Sequence, residues 1–125
     1  EYLIEVYKSP YCGCCEKWVS HLEQNGFKVI SQNRDDMNNV KSEFGISPEL
    51  QSCHTGVING YFIEGHVPAR DIKKLLSEKP DIKGLTVPGM PAGINVPGME
   101  TKPEKAKFDV VAVGNNGNEV YSHYE

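Results

Sequence analysis

The sequence predicts a mixed α/β domain, and three observations carry that reading. Short apolar runs at Leu3-Ile4-Val6, Phe27-Val29-Ile30 and Val57-Ile58 alternate with apolar residues at helical spacing, first Cys15, Trp18, Val19 and Leu22. An Asn59-Gly60 step joins two strand-like runs, which is the strongest short hairpin signal. Three of the four cysteines, Cys12, Cys14 and Cys15, crowd the point where the first strand hands over to the first helix.

The elements follow in order. Leu3, Ile4 and Val6 make a strand closed by Pro10, and the helix carrying Trp18 ends at Asn25-Gly26. Its polar face holds Lys17, Ser20, Glu23 and Gln24, and His21 is expected in solvent on the outer side. Phe27, Val29 and Ile30 form a second strand. Met37, Val40 and Phe44 predict a second helix, capped at Asp35 or Asp36 and stopped by Gly45, with Met37 filling the core. Ser47 to Leu50 reads as one helical turn. Val57-Ile58, Asn59-Gly60 and Tyr61-Phe62-Ile63 form the hairpin. Pro68 suits the first turn of a third helix, where Ile72, Leu75 and Leu76 face inward. The order β-α-β-α-β-β-α is that of a thioredoxin-like domain, a mixed sheet flanked by helices.

We expect a single domain over residues 1–125, with a core at 1–80, a Pro/Gly/Met-rich loop at 81–107 and a C-terminal β-hairpin extension at 108–125. The loop lacks periodicity and carries a small repeat, Val87-Pro88-Gly89-Met90 and Val96-Pro97-Gly98-Met99. The hairpin turns at Asn115-Asn116-Gly117-Asn118 and is expected to extend a sheet edge or fold over the loop.

A formal charge of -4 with acids and bases interspersed gives no footprint for nucleic acid or an anionic membrane surface. No apolar run approaches the roughly 20 residues of a membrane span. The chain opens into a strand without an initiator Met, so a processed or trimmed start is expected. Four cysteines are too few for a disulfide scaffold at this length, and their clustering points to redox or metal chemistry.

Cys12 and Cys15 form a C-x-x-C pair at a helix N-terminus, where a thiolate is stabilised as a redox dithiol requires. Cys14 exceeds what a dithiol needs. Three neighbouring thiols suit soft ions such as Cu(I), or zinc. In a thioredoxin-like chain the loop before the third strand faces this turn, which brings Cys53 and His54 to it. Bland readings stand beside these: Cys14 merely packed, Cys53 a buried hydrophobe, His54 bonded to a backbone carbonyl. Met90 and Met99 either pin the loop into apolar grooves, offer thioethers to Cu(I), or form a hydrophobic lid that keeps water and oxidants from the cluster. His66, after Gly65, is a ligand or a cap, and His123 near the terminus is read as solvated.

The stretches Tyr11-Cys12-Gly13-Cys14-Cys15-Glu16-Lys17-Trp18-Val19, Leu50-Gln51-Ser52-Cys53-His54-Thr55, Gly60-Tyr61-Phe62-Ile63-Glu64-Gly65-His66-Val67-Pro68-Ala69 and Val87-Pro88-Gly89-Met90-Pro91 resemble the CopG-type copper-resistance proteins. These are small envelope proteins of Gram-negative bacteria. The resemblance runs along nearly the whole chain. It implies a thioredoxin-like fold, a periplasmic location, copper as the bound metal, and a redox role between copper states. Copper ions, and other periplasmic copper-handling proteins, are the implied partners. Carried over by motif, Cys12, Cys14, Cys15 and Cys53 are the expected copper ligands. His54, His66, Met90 and Met99 match further positions of the pattern. Gly93-Ile94-Asn95-Val96 lengthens the spacer before the second Pro-Gly-Met and bears on the reach of Met99.

Four thiolates around one monovalent ion would leave about three uncompensated negative charges. Thiolates bridging several Cu(I) ions relieve that repulsion, so a multinuclear cluster is expected. In an oxidising compartment Cys12 and Cys15 could close as a disulfide and couple copper release or oxidation to the dithiol state. Two other functions compete: a thiol-disulfide oxidoreductase with Cys12 as the attacking thiol, and a structural zinc site. Disulfide exchange has no need of Cys14 or Cys53-His54. Zinc has little use for the methionines.

Overall fold

The structure, a computed structural model, describes residues 2–125. Among these, three helices and one 3-10 turn accompany a seven-stranded mixed sheet. Strand β1 (Tyr2–Lys8) leads into helix α1 (Gly13–Gln24), then β2 (Phe27–Asn33) and α2 (Met37–Glu43). The 3-10 turn Pro48–Leu50 precedes β3 (Thr55–Ile58), β4 (Tyr61–Glu64) and α3 (Ala69–Glu78). Three further strands follow: β5 (Gly84–Thr86), β6 (Phe108–Val113) and β7 (Asn118–Tyr124).

The sheet order is β2-β1-β3-β4-β5-β6-β7, with β1/β2 and β4/β5 parallel and the other neighbours antiparallel. Its first four strands and three helices have the thioredoxin-like order expected. Asn59 and Gly60 both take positive φ, 50° and 85°, the signature of a type I′ hairpin between β3 and β4. Ile4 and Val6 share one face of β1 and pack with Trp18, Leu22, Ile63, Ile72 and Leu75 in the main core. A smaller cluster of Ile46, Phe62 and Val113, with Phe44 against it, forms a second apolar group.

Four local expectations change. The stretch after α3 is not wholly irregular, because β5 lies between β4 and β6 with all three residues buried. Three residues are too few to show a period. Met37 is half-buried at the first turn of α2 instead of filling the core. Pro68 caps α3 from outside rather than occupying its first turn. His21 is not free in solvent, since its Nε2 accepts the Ala69 backbone N–H at 3.1 Å, a capping bond from α1 to the start of α3.

The C-terminal hairpin extends the sheet through β5, with a bulge between Val110 and Val111. It is fastened to α3 by buried Asp71, whose carboxylate accepts from Ser122 Oγ and Tyr124 OH. No helix among the described residues is long and apolar enough to cross a membrane.

Candidate metal centre

The site forms where three segments meet: the first turn of α1, the loop into β3, and the exit of β4. Lys8, almost fully buried at the end of β1, fixes the first of these. Its ammonium donates to Asn33 Oδ1 at 2.7 Å and pairs with Glu16 of α1 at 3.0 Å. Cys12 is the residue before α1, and its sulfur accepts the Cys15 backbone N–H at 3.3 Å. Cys12 and Cys15 are joined as a disulfide, while Cys14 and Cys53 are free.

Cys14 Sγ lies 3.4 Å from Cys12 Sγ and 3.9 Å from Cys53 Sγ. The sulfurs of Cys12, Cys14, Cys15 and Cys53 all fall within 4.8 Å of one another, and so do ligand atoms of Cys53, His54 and His66. Cys53 belongs to both groups. Its sulfur is 3.2 Å from His54 Nδ1 and 3.2 Å from His66 Nε2. The structure therefore brings together six of the eight residues that sequence singled out.

The histidines are held differently. His66 Nδ1 is 2.7 Å from the Pro97 carbonyl oxygen, which can only accept. That bond places the proton on Nδ1 and leaves the Nε2 lone pair facing Cys53, the orientation a ligating imidazole needs. Burial holds the His66 pKa below the usual imidazole value. His54 is fully buried, its ring 4.2 Å from that of Trp18, and its Nε2 makes no hydrogen bond of ordinary geometry. Burial, and then neighbouring His66, keep its pKa well below the imidazole range. Both rings stay neutral at neutral pH. Burial and the nearby Cys14 push the Cys53 thiol up to about 12, so it keeps its proton unless a metal displaces it.

The Val-Pro-Gly-Met units reach this site through their backbones. At the first, Gly89 O accepts from Ser52 Oγ at 2.7 Å, beside Cys53. At the second, a Cβ added to Gly98 would sit 2.8 Å from His66 Nδ1 and 3.0 Å from the Cys14 carbonyl oxygen. Gly98 also has φ +86°, so glycine there allows both the turn and the close approach. Met99 is half-buried against the main core, and Met90 is 49% exposed in a groove with Pro88, Pro91 and Phe108. His123 sits on the surface between Asp109 and Glu125, at 2.5 and 2.7 Å.

Sequence reasoning missed one group beside the site. Glu64 is fully buried and Lys41 nearly so, and the two form an ion pair under the Cys53 loop. A signal was present: Met37, Val40, Lys41 and Phe44 follow i, i+3, i+4, i+7 spacing, which puts Lys41 on the apolar stripe of α2.

With the Cys12–Cys15 disulfide open, the donors are thiols and neutral imidazoles, with a buried unpartnered nitrogen among them, a set that fits a soft or borderline metal ion. Comparison with known proteins bears on which. The family described as "Protein of unknown function, DUF411" matches residues 50–99. No curated protein matches the chain. Two solved structures of copper resistance protein CopG are similar over the full fold. Form 1 is 47% identical with a TM-score of 0.91, covering 98% of this chain and 97% of its own. Form 2 is 46% identical with a TM-score of 0.93, covering 100% of both. At that identity and coverage, the chain belongs to the CopG family of copper resistance proteins.

Proposed function

We propose that this protein serves copper resistance by taking up Cu(I) as cargo in a thiolate cluster of Cys12, Cys14, Cys15 and Cys53. The observation that carries the reading is the convergence of those four sulfurs within 4.8 Å from segments distant in sequence. Thiolates favour soft ions such as Cu(I), the similarity to copper resistance proteins favours copper over zinc, and sharing the thiolates among several Cu(I) ions limits uncompensated charge, so the cluster is multinuclear. His66, with its Nε2 lone pair facing Cys53, and His54 are the next ligands. Met99 and Met90 are thioether donors or lid residues at the margin.

The disulfide supplies the redox element. With Cys12 joined to Cys15, only Cys14 and Cys53 retain thiols. Two electrons and two protons, supplied by a dithiol reductant outside this chain that leaves as its own disulfide, reopen the pair and complete the four-thiol site. In the reverse direction, closing the disulfide releases two electrons, enough to take two Cu(II) to Cu(I). The protein therefore binds copper in its reduced form and exchanges electrons with copper through Cys12 and Cys15. A periplasmic location, where disulfides persist, suits this cycle. Other copper-handling proteins there would deliver or accept the metal.

The test is anaerobic loading of reduced and disulfide-closed protein with Cu(I), followed by metal analysis. Reduced protein is expected to hold several ions per chain and the closed form markedly fewer. Equal uptake by both would refute the role given to Cys12 and Cys15.

A second reading, a thiol-disulfide oxidoreductase acting on protein cysteines, draws on the Cys12–Cys15 disulfide at the start of α1. Cys14→Ser separates the two. Intact protein-disulfide reductase activity with undiminished copper binding in that variant would favour the second reading.

A further inference from the structure

The buried Lys41–Glu64 pair has no part in the chemistry above, yet it touches the polypeptide on both sides of Cys53-His54. Glu64 Oε2 accepts the Ser52 backbone N–H at 2.8 Å, one residue before Cys53. Its Oε1 accepts from Thr55 Oγ1 at 2.6 Å, one residue after His54. Thr55 and Glu64 are also paired in register across β3 and β4, and Gly65 N donates to His54 O at 3.0 Å. Lys41 reaches in from α2, pairing with Glu64 Oε2 and donating to Thr55 Oγ1 at 3.1 Å. The same carboxylate thus brackets the Cys53-His54 dipeptide, and it ends β4 two residues before His66.

An ion pair this buried is poor value as a stabiliser, because apolar residues of similar volume commonly do as well or better. Its geometry supplies directionality instead. The two carboxylate oxygens accept three donors from two other segments, and charge-assisted bonds of this kind are short and orienting. Gly65 lets the chain turn immediately afterwards at φ +79°, where a Cβ would lie 2.7 Å from Ser52 Oγ and from the Val87 carbonyl oxygen. Ser52, Glu64 and the start of the first repeat are therefore packed as one unit behind Cys53.

We infer that Lys41 and Glu64 are positioning residues for the metal site: a buried carboxylate clamp, held by Lys41, fixes Cys53 and His54 opposite Cys14 and His66. The inference rests on the reading of Cys53 as a copper ligand. It is tested first by a property that needs no copper. In reduced, metal-free protein, the alkylation rate of Cys53 relative to Cys14 is followed by mass spectrometry of the intact, then digested, chain.

Three variants are compared with wild type: Glu64→Ala, the apolar pair Lys41→Met with Glu64→Leu, and Thr55→Val. Thr55→Val removes one arm of the clamp at nearly constant shape and puts the fold least at risk. Loss of one charge-assisted arm is expected to change the Cys53 to Cys14 ratio by about tenfold. Variants that fold are expected to hold fewer copper ions per chain, with the Cys12–Cys15 disulfide forming as in wild type. Glu64→Gln keeps an acceptor for Ser52 N–H and is expected to recover part of the wild-type ratio.

An unchanged ratio and copper count in folded Thr55→Val and in the folded apolar pair would overturn the clamp. Should the other variants fail to fold, Thr55→Val decides alone. A wild-type chain that binds no copper, with Cys53 reactivity still altered in the variants, would refute the copper reading and leave the clamp standing.

Discussion

At the scale of single residues, the two Val-Pro-Gly-Met units form a matched pair of probes. Gly89 and Gly98 both have positive φ, 74° and 86°, so alanine at either strains the backbone by about 1 kcal/mol. Only at Gly98 does the added Cβ meet the site, at His66 Nδ1 and the Cys14 carbonyl oxygen; at Gly89 nothing lies within 4 Å. Gly98→Ala is therefore expected to lower copper affinity at least about tenfold, while Gly89→Ala shifts only the melting temperature by a few degrees. Equal affinities in competition titrations would contradict the placement of the second unit. Cys53 gives a pH prediction of definite sign. Its thiol stays protonated below about 12, so copper must displace that proton. Affinity is expected to rise with pH by about one decade per unit for each thiol proton released, and a pH-independent binding constant would count against thiolate ligation at Cys53.

At the scale of elements, the C-terminal hairpin is held to α3 through one carboxylate. Asp71→Ala leaves the Ser122 and Tyr124 hydroxyls without their acceptor, at an expected cost of about 1–3 kcal/mol in urea unfolding. Tyr124, whose pKa burial and Asp71 push up to about 12, should ionise at lower pH in the same variant. An unchanged urea midpoint would mean that β7 is held by its ladder with β6 alone. The elements most legible in sequence were those with a period or a turn residue of defined conformation. Trp18, Val19 and Leu22 marked α1, and Asn59-Gly60 marked the β3–β4 turn. Strand β5 was not legible, because three residues between a proline and another proline-rich stretch carry no period; its place is decided by pairing with β4 and β6. His21 was misread because its capping bond to Ala69 joins residues 48 apart, a tertiary contact with no local signature.

At the scale of the whole molecule, the fold converts three separated segments into one set of donors, and part of that could be read beforehand. The loop before β3 was expected opposite the first turn of α1 from the order of elements alone, which placed Cys53 and His54 with Cys14. Of the devices that set their geometry, the Pro97 carbonyl on His66 has no local signature, and the Lys41–Glu64 pair shows only as a lysine on the apolar stripe of α2, its partner being set by helix placement. Burial of the histidines has a consequence for the whole chain. In the unfolded state His54 and His66 titrate at about 6.5, whereas in the fold their pKa values are lowered. Below about pH 6.5 the unfolded chain binds protons that the folded one does not, so metal-free protein should lose stability as pH falls, by up to about 1.4 kcal/mol per unit for each histidine. Exposed His123, whose pKa Asp109 and Glu125 raise, acts in the opposite sense. Urea unfolding of reduced protein from pH 7.5 to 5.5 would check this, and His54→Asn should flatten the curve.

Whether four convergent cysteines hold several Cu(I) ions is read out by native mass spectrometry of reduced protein loaded anaerobically with Cu(I). Wild type is expected to carry more than one copper per chain, with a smaller count in both Cys14→Ser and Cys53→Ser. A single copper in wild type, or the same count in all three proteins, would contradict a multinuclear site built on these cysteines.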